Sequence, residues 1–96
     1  MTKSKFMETI RAAIQEWAQQ NSIELALLEV EPTGIESDVR IIVIARKGFE
    51  NWSEIDRDES LYQYLRSKLG DADIVKISLT ITMSEEEYDS YVRVEV

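Results

Sequence analysis

Phe6, Ile10, Ala13, Ile14 and Trp17 recur at i, i+4, i+7, i+8 and i+11, the stripe of a 3.6-residue helix. Thr2 or Ser4 can cap this helix and Asn21 can stop it. Residues 23–30 then turn densely apolar with an imperfect alternation, which reads as a strand. Pro32 and Gly34 punctuate a loop over residues 31–38. Residues 39–45, with Ile41, Ile42, Val43 and Ile44 in succession, form a short β-branched run and predict a strand covered on most of its surface. The two strands and their loop predict an antiparallel hairpin.

Lys47-Gly48 ends the second strand. Ser53 is placed to cap a second helix, with Asp56 three residues on. Leu61, Leu65 and Leu69 give its apolar stripe, Ile55, Tyr62 and Tyr64 flank it, and Gly70 stands where a helix C-terminus favours glycine. In the third strand Ile77, Leu79, Ile81 and Met83 alternate with Lys76, Ser78, Thr80 and Thr82. Such alternation predicts an apolar core face, with Leu61, Leu65, Ile77, Leu79 and Ile81 in the core, and a wet face carrying Arg40, Lys76, Ser78, Thr80 and Thr82. Ser84-Glu85-Glu86-Glu87 has the pattern of a capping box for a short last helix, with Tyr88 and Tyr91 to pack it down. Residues 92–96 (Val-Arg-Val-Glu-Val) alternate again and suggest an edge strand, or a strand given to a second subunit in a homodimer.

These elements make one α+β domain over residues 1–96: a two-layer sandwich of order αββαβ plus a short C-terminal helix and an edge strand. The helices lie on one face of a small mixed sheet. The second and third strands, joined through a helix, should be parallel with a right-handed crossover.

Composition removes much chemistry. The chain has no histidine and no cysteine, so the commonest general base, the commonest zinc ligand and the thiol nucleophile are all missing. No cofactor, no metal site and no catalytic residue is expected, and no enzyme. The 19 acidic against 11 basic residues give a net charge of −8, with acids concentrated over residues 48–60 and 84–96. Nucleic acid is not an expected partner of such a surface. Asp56 and Glu59 share a helix face able to offer oxygen ligands to Mg2+ or Ca2+. Acids in a first helical turn more often answer the helix dipole, and that reading is preferred here and for Glu85, Glu86 and Glu87. No stretch approaches the roughly 18 apolar residues of a membrane span, and the N-terminus lacks a signal-peptide core. A cytoplasmic protein is the expectation. What remains is an interaction module, working through a protein partner or by self-association. The candidate contact residues are Phe49 and Trp52 in the loop before the second helix, Arg57 in its first turn, and Lys76 before the third strand.

Part of this pattern resembles the BolA-like family. The strand Val39-Arg40-Ile41-Ile42-Val43-Ile44-Ala45 is followed by Phe49, Arg57, Leu61-Tyr62, Leu65 and the strand Val75-Lys76-Ile77-Ser78-Leu79. The resemblance extends over roughly residues 8–90 and rests mostly on apolar positions. It implies an αββααβ domain related to the type II KH fold, and contacts with monothiol glutaredoxins in iron–sulfur handling or with nucleic acid. Family members carry a cluster-ligating histidine at the start of the last strand; that position is Lys76 here. Their Arg-His-Arg helix start reads Asp56-Arg57-Asp58. A lysine, protonated at neutral pH, cannot replace imidazole as a soft-metal ligand. The Gly-x-x-Gly loop of KH domains is absent, the glycines standing apart at 34, 48 and 70.

Overall fold

The computed structural model describes residues 3–34 and 38–94. Helix α1 (Lys3–Gln20) leads into strands β1 (Glu24–Pro32) and β2 (Val39–Lys47). Helix α2 (Glu54–Leu69), a single turn α3 (Asp71–Ile74), strand β3 (Ile77–Ser84) and helix α4 (Glu85–Val94) follow. The α1 stripe is buried as its spacing predicts: Phe6, Ile10, Ala13, Ile14 and Trp17 all lie in the core. The helix stops where Asn21 turns back on it, its backbone N–H and its Nδ2 both donating to the Trp17 carbonyl at 3.1 and 2.8 Å. Ser22 takes a left-handed conformation (φ 57°) and aims the chain into β1.

The sheet order is β1-β2-β3, with β1 antiparallel and β3 parallel to the central β2. This is the arrangement that a hairpin followed by a helical crossover requires. Helix α1 packs against β1, α2 packs against β3, and the two helices pack on each other. Val39, Ile41, Val43 and Ala45 line the sheet face beneath them and are buried. Ser53 caps α2 by accepting from the Asp56 N–H at 3.1 Å, and Gly70 (φ 83°) closes it by donating to the Arg66 carbonyl. No helix among the described residues is long and apolar enough to cross a membrane.

The orientation of β3 departs from the sequence reading. Val39 pairs with Ile77 but Arg40 pairs with Leu79. Ser78 is therefore an extra residue, a β-bulge, and one extra residue turns every later side chain to the other face. Ile77 still packs on the core beneath the helices. Leu79, Ile81 and Met83 point to the far face, and Leu79 is 50% exposed. Thr80 and Thr82 pair with the buried Ile41 and Val43 instead, and Thr82 is itself buried. The expected core positions Leu79 and Ile81 and the expected wet positions Thr80 and Thr82 are thus exchanged.

The C-terminus departs as well. Residues 92–94 continue α4 as helix and are not an edge strand; residues 95 and 96 lie outside the described residues. The capping box explains the choice. Ser84 Oγ accepts from the Glu87 N–H at 3.1 Å, and a Glu87 carboxylate oxygen accepts from the Ser84 N–H at 2.7 Å. Once such a nucleus exists, each further residue joins at little cost, and an alternation of three valines is too short to oppose it.

Gly48 joins β2 to the next loop at φ 112°. A Cβ there would stand 2.7 Å from the Ile23 Cα and 2.9 Å from the Ser22 carbonyl oxygen, both backbone atoms. Gly70 also has a positive φ, but nothing lies within 4 Å of its Cβ position. Gly70→Ala is expected to cost about 1–3 kcal/mol through conformation alone, its φ 83° and ψ 172° being open essentially to glycine. Gly48→Ala should cost more, because strain and collision add. Urea midpoints of the two variants test this, and equal losses would contradict it.

Candidate functional site

The parallel strands β2 and β3 end side by side, and the first turns of α2 and α4 converge on those ends. The loop after β2 brings Phe49 and Trp52 to the same place. Between them is a cleft of about 310 Å3 lined by residues that include Arg46, Lys47, Glu50, Trp52, Arg57 and Glu85 to Glu87. Its floor is Arg57, which is 4% exposed. Burying a guanidinium is costly unless every donor is answered. Here Nε donates to Thr82 Oγ1 at 3.2 Å, and one terminal nitrogen donates to the Thr82 carbonyl at 3.3 Å and to Glu87 at 2.6 Å. The guanidinium carbon also lies 4.9 Å from the Phe49 ring centre, a cation–π distance. The Thr82 hydroxyl in turn donates to Asp58. The inward turn of Thr82, made by the Ser78 bulge, is thus what supplies Arg57 with its partner.

The aromatic residues form the wall behind this network. Trp17 packs on Phe49 at 6.3 Å between ring centres and edge-on to Trp52 at 6.2 Å. Its indole N–H donates to Ser60 Oγ at 3.1 Å.

Two of the cleft carboxylates, Glu87 and Glu50, are shifted toward the anion. The Ser84 backbone N–H, followed by the charge and hydrogen bonding of Arg57, holds Glu87 below the usual carboxylate range. Backbone N–H groups of Glu50 itself and Gly48 do the same for Glu50. A general acid needs a proton to give near neutral pH, and these groups are shifted away from that. Glu85 faces Arg46 at 3.7 Å, a half-exposed pair of small energetic weight. Among the described residues no three or more acidic side chains gather in a way that could hold a metal ion. The arrangement holds side chains in place and offers contact.

Of the contact candidates named from sequence, Phe49, Trp52 and Arg57 come together here, and Lys76 does not. Lys76 precedes β3, at the other end of the sheet, where it pairs with Asp73 at 3.2 Å and stands 5.5 Å from the Phe6 ring centre. Phe49 is 3% exposed, so with Arg57 it serves the scaffold, and only Trp52 of the three is half-open. Other large apolar side chains stand further in solvent, among them Val75 at 74% and Tyr91 at 56%. Ile55 and Tyr62 on α2 are 74% and 47% exposed, and Leu79 is turned outward on β3. On the far face of the sheet Leu79, Ile81 and Met83 join Leu27 and Ile42, bordered by the Arg40–Glu31 ion pair at 2.7 Å. Sequence reasoning gave Leu79 to the core and Ile55 and Tyr62 to its flank. The period of α2 carries the one usable signal, since Ile55 and Tyr62 both fall off the Leu61–Leu65 stripe on the same side.

No protein-family model, curated protein or solved structure matches this chain.

Proposed function

We propose that the protein is a small, acidic, non-enzymatic interaction module, acting through a protein partner or through self-association. The observation that carries this is the exposure of large apolar side chains on α2 and β3. Ile55, Tyr62 and Leu79 stand in solvent although the buried core is fully formed without them. Exposed large apolar side chains of this kind are what a contact region offers a partner. The cleft formed by the ends of β2 and β3 supplies charge and shape.

A second function follows from the BolA-like resemblance: an accessory factor contacting glutaredoxin or nucleic acid. The element order α-β-β-α-α-β through β3 supports it. Lys76, paired with Asp73, stands where the family's ligating histidine would be, and the −8 charge opposes nucleic acid. The interaction module is therefore the preferred function, with glutaredoxin one of its testable partners.

The test compares the wild-type chain, immobilised as bait, with Ile55→Lys/Leu79→Lys. Both sites are exposed, so the variant is expected to fold with surface-level losses only. A protein, whether another chain or this one, retained by the wild type and lost by the variant is the expected result. Identical retention by both baits, together with turnover of a small molecule by the wild type, would contradict it.

A further inference from the structure

The two edges of the sheet are built differently. Strand β1 is guarded: it carries Glu24, Glu29 and Glu31, ends on Pro32, has register breaks on either side of Leu25, and its Leu28 carbonyl accepts from Arg11 of α1 at 3.0 Å. These are the devices that keep an edge from pairing with another chain. Strand β3 from Leu79 to Met83 has fewer of them, its one capped carbonyl being that of Thr82, which accepts from Arg57 of α2 at 3.3 Å. It carries no charge and no proline, its only bulge lies before Leu79, and no strand pairs with its outer side among the described residues.

The helix above this edge carries a matching stripe. Leu61 and Leu65 point into the core. Ser60 and Tyr64 point to α1, where they meet Trp17 and Glu16. Asp58 points to β3, where it meets Thr82. Steps of three and four residues from Asp58 along that flank give Ile55, Tyr62, Arg66 and Leu69. The stripe is symmetric about Tyr62. In an antiparallel pair of such helices Ile55 meets Leu69, Asp58 meets Arg66, and Tyr62 meets its own copy. Apolar faces apolar and acid faces base, with Leu69 partly packed on its own core and Arg66 also paired with Asp71 of its own chain at 3.0 Å.

The strand agrees with the helix. Asp58 is level with Thr82. Four residues along α2 advance about 6 Å, and two residues back along β3 advance about the same. Tyr62 therefore lies near the level of Thr80, so one two-fold axis can pass close to both the helix centre and the open strand.

We propose that this side is a homodimer interface. A second copy adds its β3 antiparallel to the first, making one continuous six-stranded sheet, and the two α2 helices pack antiparallel about Tyr62. The occupant is a second copy because the surface is complementary to itself: the neutral edge pairs with a neutral edge, and the charges of the helix stripe are opposite across the axis. The inference rests on the contact function above and names its partner.

Sedimentation of the intact chain tests it. The wild type is expected at twice its 11.1 kDa mass. Tyr62→Lys is expected at the monomer mass with an unchanged circular dichroism spectrum: Lys four residues after Asp58 suits the isolated helix, whereas two lysines meet across the axis. The native chain has no cysteine, so a single introduced thiol reports geometry independently. Tyr62→Cys should form a disulfide-linked dimer under mild oxidation, and Val75→Cys, exposed but away from the axis, should not. A monomeric wild type, a Tyr62→Lys dimer, or equal cross-linking at 62 and 75 would overturn the proposal. In the first case the contact function still stands if Ile55→Lys/Leu79→Lys loses a different protein, which separates the two failures.

Discussion

Trp17→Ala is expected to destabilise the fold by about 3–5 kcal/mol, as deletions of fully buried large aromatics do. Trp17 is 1% exposed and joins three parts of the molecule. It belongs to the α1 stripe, packs on Phe49 and Trp52 from the loop after β2, and donates to Ser60 of α2. Removing it leaves a cavity and an unanswered Ser60 hydroxyl. Denaturation in urea measures the loss, and the emission of the remaining Trp52, stripped of its neighbour, should move to longer wavelength. A loss below about 1 kcal/mol, the range of exposed substitutions, would mean that α1 and α2 are not tied through this ring.

The second large effect is expected at Arg57. Arg57→Met keeps the stem and removes the guanidinium, leaving the Thr82 carbonyl and hydroxyl without their donor and Glu87 without its ion pair. Buried polar groups left unpaired cost about 1–3 kcal/mol each, so a total of about 2–4 kcal/mol is expected, reduced where Glu87 can turn to water. Thr82→Val alone should cost less. In the double variant both buried partners are apolar, so its loss should fall below the sum of the two single losses. Additive losses in that cycle would show that Arg57 and Thr82 do not act as a pair.

The architecture was legible where periodicity decides it. The α1 stripe, the Ser53 and Gly70 caps of α2, the Ser84–Glu87 capping box and the parallel crossover all follow from short-range pattern, and the structure contains them. The β3 face was not legible. Ile77, Leu79, Ile81 and Met83 alternate perfectly on paper, yet the bulge at Ser78 separates Ile77 from the other three. A bulge is chosen by how β3 meets β2, and no residue of the strand announces it. The burial of Arg57 was hidden for the same reason, because its partner Thr82 sits on what looked like the wet face. The tail misled in another way. Residues 92–94 have a strand's alternation, but they follow a nucleated helix and continue it. Of the contact surface, Trp52 was visible as a loop aromatic. Tyr62 was visible only as a flanking residue until Asp58 and Thr82 showed which flank faces the open edge.

The open edge of β3 is tested most directly by amide hydrogen exchange, residue by residue, in the wild type and in Tyr62→Lys at the same protein concentration. Residues 79–83 should exchange slowly in the wild type, and the amides among them that do not pair with β2 should exchange much faster in Tyr62→Lys. The amides of β1, guarded within its own chain, should be unchanged. Equal exchange of β3 in the two proteins would contradict an interface on this edge, and so would faster exchange shared by β1, which would report loosening of the whole domain.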